Sequence, residues 1–224
     1  MALHKARPLA EISIHAAQAA RKAARDGAWN CDLPTSLEEV SAGVAICRRC
    51  ELWRGGGGVS GSGPTDAPLM LVGERPVEAD AGPRVFGGPA KRVLDAAMAR
   101  AGLAASQSFV TAALRHTGPS AARGGLAAKP SSAEISACRW WLEAERRLVR
   151  PKVVVAFGQT AASAVFGRAI SKDQRGCPAP LPDRGLGLAT VGPDKLLRLA
   201  DERVKRAAFA ALVADLALAR RLAG

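Results

Sequence analysis

Three cysteines and one histidine have the residue types and the spacing of a metal centre. Cys47 and Cys50 enclose two arginines, and a thiolate pair at this spacing lets neighbouring backbone hold one metal centre. Cys138 and His116 add a third sulfur and an imidazole, and the resulting four-coordination suits zinc or an iron–sulfur cluster. A structural disulfide is the alternative, but five cysteines cannot all pair and no secretory signal precedes them. The spacing therefore favours a metal or cluster site.

The composition carries an excess of positive charge. With 32 Lys and Arg against 20 Asp and Glu, the formal net charge is +12 at pH 7. Such an excess favours a polyanion such as nucleic acid as the partner, because each neutralised phosphate releases condensed counterions. A basic surface that serves only solubility is the alternative. Charge alone makes nucleic acid a candidate partner and says nothing about sequence preference or chemistry.

Short apolar runs alternate with helical segments along most of the chain. Predicted strands cover residues 68–73, 109–114, 152–158 and 188–191, and predicted helices cover 33–46, 89–100, 130–149, 160–166 and 201–222. This alternation predicts an α/β fold in which helices sandwich a short parallel sheet. Ligands of such folds bind at the carboxyl ends of the strands. Here those ends lead into the segments 73–86, 114–129, 158–159 and 191–198.

The N-terminal region differs from the rest of the chain. The stretch from Ala10 to Arg25 is basic and amphipathic, so we expect a helical extension at residues 1–32 and one domain at 33–224. The first residues lack the apolar core of a secretory signal, and no run is long enough to span a membrane. We therefore expect a cytoplasmic protein, with an organelle transit peptide as the alternative. The glycine-rich stretch 54–63 lacks a Gly-Lys-Ser/Thr ending, which predicts a flexible connection rather than a phosphate-binding loop.

Eight segments, in their order and spacing, resemble the iron–sulfur branch of the uracil-DNA glycosylase superfamily. The resemblance covers roughly residues 33–220 and is greatest for the UdgX type, whose members bind uracil-containing DNA and can trap themselves on it. The matching segments are CRRCELW at 47–53, GPTDAPLMLVGERP at 63–76, FGGPA at 86–90, VTAALRH at 110–116, KPS at 129–131, ACRWWL at 137–142, PKVVV at 151–155 and LLR at 196–198.

The resemblance implies a three-layer αβα sandwich that carries a [4Fe–4S] cluster. By position, Cys47, Cys50 and Cys138 match the cysteine ligands, and His116 stands where related members have a cysteine or this histidine. The resemblance therefore favours the cluster over zinc, which stays the alternative. The two other cysteines match no ligand and are interpreted as packing residues.

The resemblance also implies roles for three residues beside the substrate. Glu74, in a Gly-Glu-x-Pro loop, is expected to place a carboxylate near the sugar, and Glu78 supplies a second carboxylate at a matching loop position. Phe86 is expected to stack on a base that has been extruded from the DNA. Both carboxylates are candidates for general-base catalysis.

Other polar groups of the resembled site are missing. The asparagine that reads uracil corresponds to Ala112, the histidine that supports the leaving group corresponds to Gly192, and the Arg-Ile-His stretch of the UdgX type corresponds to residues 125–127. No change of register restores these groups, because the single asparagine of the chain is Asn30 and no histidine follows His116. We therefore expect uracil excision to be very slow and the covalent trap to be absent.

The favoured hypothesis is a cluster-bearing protein that binds single-stranded or damaged DNA in a repair context without efficient excision. Its candidate phosphate contacts are the basic residues on the ligand-bearing loops, namely Arg75, Arg84, Arg115, Arg123, Lys129, Lys195 and Arg198. A first alternative is an active glycosylase of altered base specificity that uses Glu74 or Glu78. A second is a cluster-bearing module that binds RNA or protein, with Trp140 and Trp141 as contacts.

Overall fold

A computed structural model describes residues 33–79, 82–118, 128–182 and 184–224. The expected N-terminal helical extension, Arg123 and the stretch 125–127 lie outside the described residues. In the part of the chain that is described, no helix is both long enough and apolar enough to cross a bilayer.

Six helices and five strands follow one another in the described chain. The helices are α1 (Leu37–Ala45), α2 (Gly88–Arg100), α3 (Ser132–Val149), α4 (Gln159–Phe166), α5 (Pro193–Leu197) and α6 (Glu202–Ala223). The strands are β1 (Leu69–Gly73), β2 (Ser108–Ala112), β3 (Val153–Phe157), β4 (Ala179–Pro180) and β5 (Leu186–Thr190). Short 3-10 helices lie at Glu51–Gly55 and Ala105–Gln107.

The strands form a single sheet with the order β2-β1-β3-β5-β4. Strands β2, β1, β3 and β5 are mutually parallel, and the two-residue β4 is antiparallel at one edge. Because the four parallel strands run in one direction, the segments that follow them all emerge at one edge of the sheet. We call this edge the carboxyl edge.

Helices cover both faces of the sheet, which confirms the predicted αβα sandwich. On one face, Leu142 of α3 and Val165 of α4 pack with Val154 of β3. On the other face, Leu94 of α2 and Leu216 of α6 pack in a second core. Strands β1 and β3 are buried along their whole length, as wholly apolar runs predict.

Local sequence signals set where the first and third helices begin. The Ser36 side chain accepts a hydrogen bond from the Glu39 amide and caps α1. Ser131 and Glu134 form the predicted capping box at the start of α3. The start of α3 fixes the direction from which Cys138, two turns later, approaches the end of β2.

The glycine-rich stretch 54–63 is packed rather than a loose connection, which corrects the prediction. Ser62 pairs with Val110 of β2, and the Val59 amide donates to the carbonyl of Arg115. Side chains are excluded at four of its glycines: for example, a Cβ on Gly58 would lie 2.4 Å from the carbonyl oxygen of Val44, and one on Gly61 would lie 2.3 Å from the ring of Phe109. The glycines therefore permit close approach of this segment to the core.

Candidate functional site

A cleft of about 580 Å³ opens at the carboxyl edge of the sheet. It is bounded by the segments that follow β1, β3 and β5, together with the start of α2 and residues 128–130. The lining residues are Glu74, Arg75, Val77, Val85, Phe86, Gly87, Ala90, Ala128, Lys129, Pro130, Phe157, Gln159, Thr160, Pro193, Asp194 and Arg198. Three of these side chains are cationic and two are carboxylates, so the described lining carries a small net positive charge.

Glu74 is held at the floor of the cleft by the turn between β3 and α4. Its Oε1 accepts a hydrogen bond of 2.7 Å from the backbone amide of Thr160, near the N-terminus of α4. Gly158 makes this approach possible: it has φ +92°, and a Cβ there would lie 2.7 Å from the Glu74 carboxyl carbon. One carboxylate oxygen is therefore committed to the protein, and the other makes no hydrogen bond within the described residues.

Phe86 lies in the cleft, where stacking on a base was predicted. Its ring meets Phe157 edge to face, with the ring centroids 5.5 Å apart. It also packs close to the end of β1, since a Cβ on Gly73 would lie 3.1 Å from the tip of the ring. The ring is half-buried, so it is fixed by packing and still borders the open cleft.

Glu78 is not brought to the cleft beside Glu74. It is exposed, and the described lining includes its neighbour Val77 instead. Of the two candidate general bases, Glu74 borders the cleft and Glu78 does not. The lining also contains two polar residues that sequence reasoning did not single out, Gln159, which lies in the predicted ligand-bearing segment 158–159, and Thr160, directly after it. Their sequence signal is their position directly after the buried strand β3 and its glycine.

Four of the predicted phosphate contacts are exposed. Lys129 and Arg198 are exposed and line the cleft, where Arg198 is paired with Asp194. Lys195 is exposed outside the described lining, and so is Arg84. These exposed residues remain candidates for phosphate contact.

Arg75 joins the cleft to the segments on either side of residues 119–127. Its guanidinium donates to the carbonyl of Thr117 at 3.4 Å and to the carbonyl of Ala128 at 2.8 Å. Burial lowers the pKa of Arg75 from its ordinary value, although Glu74 and Glu134 oppose this shift. Its contacts favour a tethering role over a free phosphate contact.

Arg115 is a correction to the predicted DNA contacts, because it is completely buried. Its guanidinium donates to the two oxygens of Glu145 at 3.0 and 2.9 Å and to the hydroxyl of Thr111 at 2.6 Å. Glu145 in turn accepts from the Gly61 amide at 2.7 Å. The pair ties β2, α3 and the glycine-rich stretch together and does not present a charge to a ligand.

The two positions expected to have lost polar groups lie at the same edge of the sheet. Ala112 is the last residue of β2 and is fully buried beside Gly73. Gly192 caps α5, and a Cβ on it would lie 2.6 Å from a carboxylate oxygen of Asp194 and 3.9 Å from the Gly158 amide nitrogen. Neither position offers a side-chain donor to the cleft.

Two of the four predicted metal ligands are in direct contact in the structure. Cys50 and Cys138 are in hydrogen-bond contact, and both pack with Leu52 and Leu114. Cys47 lies at the end of α1, where its sulfur accepts a 3.3 Å hydrogen bond from the indole N–H of Trp141 on α3. Within the described residues, no three Cys, His, Asp or Glu side chains lie close enough together to hold a single metal ion.

His116 has an environment that is unusual for an imidazole. It is buried, and neither ring nitrogen has a hydrogen-bond partner within the described residues. Burial, together with the positive charges of Arg48 and Arg115, lowers its pKa to about 4. The ring is therefore neutral at pH 7, and it retains a lone pair that nothing in the described protein uses.

The two contacting thiols differ in acidity. Cys50 accepts a hydrogen bond from the Cys138 thiol, and this lowers the pKa of Cys50 to about 7. The same contact, together with burial, raises the pKa of Cys138 above its ordinary value. Cysteine sulfurs and a neutral imidazole are the donor set of a soft metal centre. The donor chemistry and the orphaned imidazole therefore fit a group that spans these side chains, and no preformed site for one ion is present among them.

Comparisons with known proteins agree with the fold. The sequence model of the uracil DNA glycosylase superfamily matches residues 60–217. The chain is similar to the Type-4 uracil-DNA glycosylase of Sulfurisphaera tokodaii, with 30% identity over 136 residues that cover 59% of each protein. It is also similar to the Type-4 uracil-DNA glycosylase of Archaeoglobus fulgidus, with 28% identity over 133 residues that cover 58% of this chain and 64% of that protein. The chain thus matches less than two thirds of the length of either relative.

Proposed function

Because this chain belongs to the uracil DNA glycosylase superfamily, we propose that it binds DNA and accommodates one extruded base in the cleft at the carboxyl edge. The observation that carries the proposal is the cleft itself. Its wall contains a fixed phenylalanine, Phe86, and its rim contains the exposed cations Lys129 and Arg198. An aromatic face for the base and cations for the flanking phosphates are the two features that binding of an extruded nucleotide requires.

The same proposal includes weak or absent excision of uracil. A glycosylase must stabilise the departing base anion, and loss of one such donor costs roughly 3 kcal/mol of transition-state stabilisation. The positions that correspond to the donors of the resembled site are Ala112, which is buried, and Gly192. Uracil is the base to test, because both relatives are named as uracil-DNA glycosylases. The quoted motifs favour the UdgX type within the superfamily, with the covalent trap lost.

We further propose that Cys47, Cys50, Cys138 and His116 hold a [4Fe–4S] cluster in the domain at residues 33–224. The unpartnered nitrogens of buried His116 and the contact between Cys50 and Cys138 support this assignment. Among the described residues these donors do not form a group that could hold one ion, and the motifs that resemble the iron–sulfur branch favour a cluster over zinc. When bound, such a cluster supplies a covalent link between the end of α1, β2 and α3.

DNA binding is tested by titration of the full chain, purified anaerobically, against a fluorescent single strand that contains one uracil. We expect the logarithm of the affinity to fall linearly with the logarithm of the salt concentration. Lys129→Ala should reduce that slope by about one. The matched control is Lys152→Ala, because Lys152 is an exposed lysine at the start of β3, at the opposite edge of the sheet. Affinity that does not depend on salt, or equal effects of both variants, would contradict the proposal.

The same assay tests whether Arg75 contacts a phosphate or tethers the rim of the cleft. Its guanidinium is occupied by two backbone carbonyls, so Arg75→Gln should leave the salt slope unchanged within error. The variant should instead lower affinity at every salt concentration by roughly the same factor, since it loosens the rim beside Lys129. A slope reduced by about one would make Arg75 a phosphate contact after all.

A second candidate function is an active glycosylase of altered base specificity. The observation that favours it is the free oxygen of Glu74, which borders the cleft and is positioned by the Thr160 amide. Incubation with strands that carry different damaged bases, followed by alkaline cleavage at abasic sites, tests this function. Strand breaks that require Glu74 and vanish in Glu74→Gln would support it. The absence of breaks on every substrate would leave binding as the function.

A further inference from the structure

Most polar side chains of the cleft form hydrogen bonds or ion pairs within the protein, and Gln159 is an exception. Arg198 is paired with Asp194, Arg75 holds two backbone carbonyls, and Glu74 accepts from the Thr160 amide. Gln159 is exposed, borders the cleft and makes no hydrogen bond within the described residues. Among the described residues that line the cleft, it is also the one with a side-chain amide.

The backbone beneath Gln159 is fixed on both sides. The amide of the preceding Gly158 donates to the carbonyl of Thr190 at 3.0 Å, and the carbonyl of Gly158 accepts from Ala162 at 3.0 Å. Gln159 begins α4, and the next residue, Thr160, is bonded to Glu74. A rigid turn at the end of a buried strand therefore presents one uncommitted amide to the cleft. Positions of this kind are suited to recognition because the backbone does not need to be ordered on binding.

The chemistry of an amide matches the edge of a nucleobase. A primary amide offers a donor and an acceptor side by side, whereas a carboxylate only accepts and a guanidinium only donates. The hydrogen-bonding edge of a base likewise places donors beside acceptors, and side-chain amides can pair with it through two hydrogen bonds. The surrounding Arg75, Lys129 and Arg198 favour a base edge that bears carbonyl oxygens.

We propose that Gln159 is a specificity-determining residue that pairs with the edge of a base lying against Phe86 in the cleft. The preferred bases are those with an N–H group beside a carbonyl, such as uracil and hypoxanthine. This inference rests on the proposed function, in which the cleft receives an extruded base. It adds the residue that distinguishes one base from another.

The experiment compares the affinities of the full, cluster-containing chain for four fluorescent single strands that differ at one position. That position carries uracil, hypoxanthine, cytosine or a tetrahydrofuran analogue that has no base. A two-bond amide–base pair corresponds to a preference of roughly 5- to 150-fold for uracil over the baseless analogue. Gln159→Ala should lose this factor and keep only the part of the preference that stacking on Phe86 supplies, with affinity for the baseless strand unchanged within about 2-fold.

Two further variants make the result specific. Gln159→Glu keeps the shape of the side chain but only accepts hydrogen bonds, so it should shift the preference from uracil towards cytosine, whose amino group donates. Gln107→Ala is the matched control, because Gln107 is an exposed glutamine just before β2, at the opposite edge of the sheet. This control should keep the full preference for uracil.

The outcomes separate this inference from the proposed function. A wild-type protein that binds all four strands equally, or a Gln159→Ala variant that keeps the full wild-type preference for uracil, would overturn the role of Gln159 and leave DNA binding intact. A wild-type protein that binds none of the strands would overturn the proposed function, and the role of Gln159 with it.

Discussion

Glu74 shows how a single glycine can determine the geometry of a functional carboxylate. Its side chain occupies the space where Gly158 would have a Cβ, and it reaches the Thr160 amide because that space is empty. The left-handed φ of +92° adds a second requirement for glycine at this position. The Gly-Gln-Thr segment after β3 therefore provides both the space and the backbone amide that position the carboxylate of the Gly-Glu-Arg-Pro loop after β1.

We predict that Gly158→Ala destabilises the fold and displaces Glu74. The positive φ costs an L-residue roughly 1–2 kcal/mol, and the contact of 2.7 Å with the Glu74 carboxyl group adds to this cost. The expected total of about 2 kcal/mol corresponds to a fall in Tm of roughly 4–8 °C for a chain of this size. Thermal unfolding followed by circular dichroism measures the change.

Gly56→Ala is the control that isolates backbone strain. Gly56 has φ +117°, and a Cβ on it would meet nothing within 4 Å. The excess effect of Gly158→Ala over Gly56→Ala should disappear when Glu74 is also replaced by alanine. Equal effects of the two glycine substitutions in the wild-type background would show that contact with Glu74 contributes nothing.

At the scale of elements, the buried Arg115–Glu145 pair joins three parts of the chain that are distant in sequence. It connects the end of β2, the middle of α3 and the glycine-rich stretch at Gly61. Arg115 and His116 are adjacent, so the pair also fixes the backbone that carries the orphaned imidazole. The buried ion pair therefore holds these three parts of the chain together. Removal of either Arg115 or Glu145 would leave the other side chain charged and desolvated.

We predict that Glu145→Ala costs about 3–5 kcal/mol of unfolding free energy, because it strands the buried Arg115 guanidinium. Urea denaturation measures this loss. Glu143→Ala is the control on the same helix: Glu143 pairs with Arg139 at the surface and should contribute less than about 1 kcal/mol. If the Glu145 variant were as stable as the Glu143 variant, the Arg115–Glu145 pair would not hold these parts of the chain together.

Asp215 of α6 gives the stability of the sheet edge a dependence on pH. Its carboxylate accepts a hydrogen bond from Thr190 at the end of β5, but burial raises its pKa above the ordinary value of 3.8 despite this bond. A raised pKa means that the folded state binds the proton more tightly than the unfolded state. The protonated Asp215 side chain therefore contributes to stability at low pH. This contribution is lost as the pH rises through the pKa that Asp215 has in the folded protein.

We predict that Asp215→Asn removes this pH dependence. The variant should be at least as stable as the wild type at pH 7, by up to about 1 kcal/mol, and the difference should shrink as the pH falls towards 4. Asp95→Asn is the control, because Asp95 is an exposed partner of Lys91 on α2. Thermal unfolding across pH measures both variants, and a difference that grows at low pH would contradict the assignment.

The sequence predicted the layers of the fold because apolar runs mark buried strands. The observed β1 and β3 lie within the predicted spans. The predicted second strand continues beyond β2, because the amides of Ala113 and Leu114 donate to the carbonyls of Gly73 and Glu74. The helix α5 was missed because five residues show no helical periodicity. The site was predicted less well, since burial of Arg115 depends on Glu145, thirty residues away, and no local pattern encodes that contact.

At the scale of the whole molecule, the cysteine and histidine side chains lie where several units of the fold meet. Cys47 follows α1, Cys50 precedes the 3-10 helix, His116 follows β2 and Cys138 lies on α3. The α1 region has its own small core around Val44 and Trp141, apart from the two main cores of the sheet. A bound cluster would therefore stabilise the attachment of this region more than it stabilises the sheet.

We predict that His116→Ala loses the cluster and loosens residues 37–55 selectively. Iron and acid-labile sulfide should fall together, and Tm should fall by at least roughly 5 °C, which corresponds to about 2 kcal/mol for a chain of this size. Hydrogen exchange should speed up at amides of α1 and of the 3-10 helix, while amides of β1 and β3 stay protected because they are buried in the main cores.

Two further variants distinguish loss of a ligand from loss of packing. His116→Cys supplies a thiolate at the same position and should retain iron. Cys177 is exposed, which corrects its interpretation as a packing residue, and it is not among the proposed ligands. Cys177→Ala should therefore change neither iron content nor exchange. If His116→Ala kept its iron, or if exchange accelerated in the sheet as much as in α1, the four side chains would not act as one centre. The α1 region would then be held by the contact of Trp141 with Cys47 and the packing around it.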